Sequence, residues 1–107
     1  MTMHKLKRKA LEADGWKVGT AKEFLRLSDE EAALIDLKLA LGRAVKERRT
    51  RQRLSQAAVA ARIRSSQSRV AKMESGDSTV SIDLLVRTLL ALGASRKDLA
   101  RSLGVGR

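Results

Sequence analysis

Apolar positions recur with a helical period along most of the chain. From Asp29 to about Gln52, Leu34, Leu37, Leu41 and Val45 follow one another at three- and four-residue steps, and Ile35 and Leu39 broaden that stripe. Ser28 stands three residues before Glu31, the spacing of a capping box. Asp29, Glu30 and Glu31 fill the first turn, where the helix dipole favours negative charge. Ser55 can cap a second helix from Gln56 to about Ile63, with Val59, Ala60 and Ile63 apolar. After a break near Arg64 and Ser65, either Ser65 or Ser66 starts a third helix that reaches Met73 or Glu74, with Val70 and Met73 inward. Gly76, Asp77 and Ser78 form a loop. Ser81 with Asp83 opens a fourth helix through Leu92, ended by Gly93. Ser95 with Asp98 caps a last short helix holding Leu99 and Leu103. Before all this, residues 5–13 can form a short basic helix and residues 15–19 a turn-like or extended stretch. Thr20 and Glu23 then have the spacing to start a short helix through Phe24 and Leu25.

This pattern predicts an all-α fold: five helices over residues 28–107, preceded by an N-terminal arm over residues 1–27. The absence of proline and the weight of Ala, Leu, Arg and Lys agree with it. Charge changes the picture more than composition does. Twenty-three Lys and Arg against 12 Asp and Glu give a formal net charge of +11 in 107 residues. Such a balance favours a polyanionic partner, nucleic acid before a membrane surface. No apolar run approaches the ~20 residues that span a bilayer, and residues 5–13 lack the apolar stretch of a secretion signal. The chain has no cysteine, so disulfides, thiolate zinc sites and cysteine nucleophiles are excluded, which suits a cytoplasmic protein. One histidine, His4, cannot build a metal site or a catalytic triad, and no cofactor is implied. Trp16 and Phe24 are the only aromatics, too few for the stacking platforms of single-strand binders.

The chemistry gathers between Ser55 and Glu74. Two helices of about two turns joined by a tight turn can lay the first across a DNA backbone and the second in the major groove. Ser66, Gln67, Ser68, Arg69 and Lys72 can face outward. Gln pairs bidentately with adenine and Arg with guanine, which makes Gln67, Ser68, Arg69 and Lys72 candidate base contacts. Gln56, at a helix N-terminus, is a candidate phosphate contact, with Ser55, Ser66 and the upstream Arg43. A module this small reads few base pairs, so a homodimer on a palindromic operator is expected. Leu92, Leu99, Leu103 and Val105 are candidates for the dimer surface because they are late and apolar.

Residues 54–60 (Leu-Ser-Gln-Ala-Ala-Val-Ala) and 65–76 (Ser-Ser-Gln-Ser-Arg-Val-Ala-Lys-Met-Glu-Ser-Gly) resemble the XRE/Cro-type helix-turn-helix family, over a span from about Leu37 to Leu92. The resemblance implies a five-helix, lambda-repressor-like domain in which Gln56 holds phosphate, Gln67 reads a base, and Ser68 and Lys72 contribute. It also implies an ion pair between Arg49 and Glu74. Two positions depart from the pattern: Arg64 stands where the turn glycine is usual, and Asp77 where a basic residue follows the Glu-x-Gly. The stretch from Gly15 to Thr20, with Glu23, Phe24, Leu25, Leu27 and Ser28, resembles the arm of HigA-like antitoxins. That implies a non-enzymatic repressor that neutralises a RelE-fold ribonuclease toxin and silences its own operon, with Trp16 and Phe24 as partner-binding residues. The alternatives are a free-standing phage or plasmid repressor and a basic helical protein that coats nucleic acid or membrane without reading sequence.

Overall fold

The computed structural model describes residues 28–104, and every regular element among them is an α-helix: α1 Asp29–Arg51, α2 Gln56–Arg62, α3 Gln67–Ser75, α4 Ile82–Ala91 and α5 Arg96–Ser102. The all-α, five-helix expectation is met. The features read in residues 1–27, among them His4, Trp16 and Phe24, and Val105 in the dimer reading, lie outside the described residues.

Serines set the helix starts. The hydroxyls of Ser55, Ser66, Ser81 and Ser95 accept the backbone N–H of Ala58, Arg69, Leu84 and Asp98, each from an extended residue. Each such cap contributes about 1 kcal/mol. Of the two serines offered for α3, Ser66 is the cap.

Contacts divide the chain into two units, residues 1–34 and residues 35–107. In the first, Ser28 and Glu31 exchange hydrogen bonds as a capping box, Ser28 N–H to Glu31 Oε1 at 3.0 Å and Glu31 N–H to Ser28 Oγ at 3.1 Å. Leu34 is 43% exposed. The second unit holds the core: Leu41 and Val45 of α1, Val59 and Ala60 of α2, Val70 and Met73 of α3, Val80 of the loop before α4, Leu85 and Leu89 of α4, then Leu92 and Ala94. Thr88 is buried too, its hydroxyl donating to the Leu84 carbonyl at 2.8 Å.

The apolar stripe of α1 is therefore buried only from Leu41 onward. Leu37 is half-buried, and Ile35 and Leu39 are exposed. Length explains this: 23 residues make a rod of about 35 Å, while α2 to α5, with 7 to 10 residues, are about 10–15 Å long and cannot cover it. Gly42 marks where α1 meets α3. A β-carbon there would lie 2.2 Å from the Met73 carbonyl oxygen, so only a glycine lets the two backbones come this close.

Four helices end alike. Beyond α1, α2, α3 and α4 the backbone closes with a six-to-one hydrogen bond around a left-handed residue: Leu54 N–H to Arg49, Ser65 N–H to Ala60, Asp77 N–H to Lys72, Ala94 N–H to Leu89. The left-handed residues are Arg53 (φ 58°), Arg64 (φ 55°), Gly76 (φ 76°) and Gly93 (φ 91°). For the two arginines this conformation costs roughly 1–2 kcal/mol each.

Two polar ties fix the C-terminal part. Gln52 Nε2 donates to the Leu92 carbonyl at 2.7 Å. Asp98 accepts from the Ser95 N–H at 2.8 Å, Arg48 at 3.1 Å and Arg101 at 3.3 Å. The Ser95 N–H and hydroxyl, with the two arginines, hold the Asp98 carboxyl below its ordinary pKa of 3.8. A depressed carboxyl stabilises the fold above its unfolded pKa, and that contribution fades as pH falls through the folded value. Asp98→Asn should thus flatten part of the stability loss below about pH 4 in acid titrations followed by circular dichroism. An unchanged acid limb would remove Asp98 from the account.

Candidate nucleic-acid interface

Gln56 and Gln67 are the first residues of α2 and α3. The tight turn of residues 63–66 brings these two helix starts side by side, and Gln67 Nε2 donates to Gln56 Oε1 at 2.9 Å. Behind them Glu74, near the end of α3, accepts from Gln56 Nε2 at 3.0 Å through Oε1. Arg49 of α1 grips the same carboxylate with both edges, Nε to Oε2 at 2.6 Å and Nη2 to Oε1 at 3.0 Å, and its Nη1 donates to the Leu54 carbonyl at 2.9 Å. The pair is mostly buried, with side chains 14% and 5% exposed. The hydrogen bond to Glu74 raises the Arg49 pKa above its already high ordinary value, so the guanidinium stays charged.

This chain has a direction. An ionised carboxylate can only accept, so Gln56 must turn its NH2 toward Glu74. Its carbonyl oxygen then faces Gln67, which must answer with its own NH2. Gln67 is left with one N–H and its carbonyl oxygen, the donor and acceptor that an adenine edge requires.

Val70 and Met73 anchor the back of α3 in the core. Ser68 and Lys72 lie on the opposite, exposed side, while Gln67 and Arg69 are exposed on its two flanks, Gln67 in the first turn of the helix. Ser66, Ser68, Arg69 and Lys72 line a shallow groove with Thr79 and Val80. Asp77 faces its own loop: Oδ1 accepts the Thr79 N–H at 2.8 Å and the Thr79 hydroxyl at 2.5 Å, which lowers its pKa from 3.8. Lys38 Nζ donates to the Ser78 carbonyl at 3.0 Å and holds that loop against α1.

Other residues fall elsewhere. Ser55 and Ser66 are exposed, and their oxygens serve first as caps. Arg43 stands two residues from both Leu41 and Val45, about 200° round the helix, and so points away from the buried stripe. Leu92, read from sequence as a dimer residue, is a correction: it is 2% exposed, because it stands at the C-cap of α4 three residues after Leu89 and continues that helix's buried face. Leu99 is half-buried and packs against the core, while Leu103 is 40% exposed. The link between Gln56 and Gln67 is absent from the sequence reading, although a glutamine opening each helix was its available signal.

A short helix, a tight turn and a second helix with a polar outer face define a helix-turn-helix unit, the architecture of a DNA-binding module. The chain belongs to the helix-turn-helix domain family, whose profile, described as "Helix-turn-helix domain", matches residues 40–107. No curated protein and no solved structure matches the chain. Among the described residues no helix is long and apolar enough to cross a membrane, and no group of His, Asp or Glu side chains could hold a metal ion.

Proposed function

We propose that this protein is a sequence-specific, double-stranded DNA-binding repressor acting through residues 28–107. One observation carries the reading: Gln67 is exposed at the start of α3 and held from behind by Gln56, Glu74 and Arg49. In this reading Gln67, Ser68 and Lys72 meet base edges. Arg69, at the rim of the groove, meets a base or a flanking phosphate, and Gln56 uses its remaining N–H on a phosphate.

Gln67→Ala should lower affinity for the preferred site by about 10- to 100-fold, the value of one bidentate base contact, and leave binding to random duplex nearly unchanged. Titrations with the protein's own promoter and with mixed-sequence DNA measure both. Equal loss on the two would make Gln67 a general contact and support a coating protein instead.

The molecule binds as a homodimer on a palindrome, with Leu103 on the joining surface. A footprint without two-fold symmetry would refute this. The arm resemblance supports a finer role, the antitoxin of a RelE-fold toxin, with residues 1–27 as the toxin-binding segment. Co-expression with the neighbouring reading frame tests it. A tight complex supports the antitoxin, and no complex favours a free-standing repressor.

A further inference from the structure

The four six-to-one closures differ in one respect. Those after α3 and α4 turn on glycine, the residue that takes positive φ without strain, whereas those after α1 and α2 turn on Arg53 and Arg64. The strained closures are the two that lead into α2 and α3. Each arginine stands two residues before the N-cap serine, Arg53 before Ser55 and Arg64 before Ser66, hence within about 7 Å of it along the chain. Both side chains are exposed, and neither forms an ion pair among the described residues. Gln56 and Gln67 join the two helix starts, so one arginine accompanies each half of the glutamine pair.

We propose that Arg53 and Arg64 are phosphate-contacting arginines that flank the helix-turn-helix on duplex DNA. The inference rests on the DNA-binding reading above and adds two contacts that supply affinity and register rather than base choice. Strained backbone at an exposed turn brings no packing benefit, and a cation next to a polyanion does. Glycine at either position would relieve the strain and remove the charge together, so stability and affinity should move in opposite directions.

The experiment uses the full chain, a mixed-sequence DNA duplex, and the variants Arg53→Gly, Arg64→Gly and their combination, with Arg87→Ala as a control. Arg87 is an exposed cation of α4 paired with Asp83. Each glycine variant should keep or raise Tm. Each should make the slope of log K against log salt less negative by about 0.9, equivalent to a roughly five-fold loss of affinity at about 0.15 M salt. The double variant should lose twice that slope, and Arg87→Ala should leave it unchanged. A steep wild-type slope that the glycine variants do not alter would overturn the inference and leave the DNA reading standing. A fall in Tm with an unaltered slope would make the arginines structural. A wild type with no salt-dependent duplex binding would sink the DNA reading itself.

Discussion

Replacing Gly42 with alanine is expected to destabilise the domain by about 2 kcal/mol, although alanine is the better helix former. The new methyl would sit 2.2 Å from the Met73 carbonyl oxygen, a backbone atom that cannot swing aside as a side-chain tip can. α1 and α3 must separate, and Leu41, Val45, Val70 and Met73, all fully buried, lose contact with one another. Tm should fall by about 8–16 °C. Because α3 shifts with the clash, affinity for DNA should fall with stability. A Gly42→Ala protein that melts at the wild-type temperature would show that the two helices do not meet there.

Glu74→Ala is the second large effect. It leaves the Arg49 guanidinium, 14% exposed, without its carboxylate, and it takes away the acceptor for Gln56. Breaking a pair of this kind costs about 3 kcal/mol or more, against a total of about 4–11 kcal/mol expected for a domain of this size. Urea denaturation measures it. The double change Arg49→Met with Glu74→Leu should cost less than Glu74→Ala alone, since no charge is then stranded in the interior. Should Glu74→Ala stay within about 0.5 kcal/mol of wild type, the pair would be no more than a surface contact.

The starts and ends of the helices were legible because each signal is local. Ser55, Ser66, Ser81 and Ser95 cap within three residues, and Gly93 ends its helix by its own backbone freedom. What failed depends on distance across the fold. Periodicity marks Ile35 and Leu39 as apolar and leaves open what they face; in the fold both are exposed, with Leu39 lying against Gly76. Leu92 is the exception: it stands three residues after Leu89 and continues the buried face of α4, a periodicity the sequence itself carries. For the candidate site, the outward residues of α3 could be read from their spacing around Val70 and Met73. The contact between the amides of Gln56 and Gln67 could not, because it exists only once two helix starts converge.

The one-way hydrogen bonding from Glu74 through Gln56 to Gln67 has a thermodynamic consequence for recognition. The Gln67 amide holds a single orientation before any duplex arrives, so, on the proposed reading, the roughly 0.5–1.5 kcal/mol of rotamer entropy that freezing such a side chain takes is already lost during folding. A base edge that demanded the flipped amide would set two carbonyl oxygens face to face and oppose the folded network itself. If Gln67 reads a base as proposed, discrimination there would depend on the Glu74 carboxylate behind it.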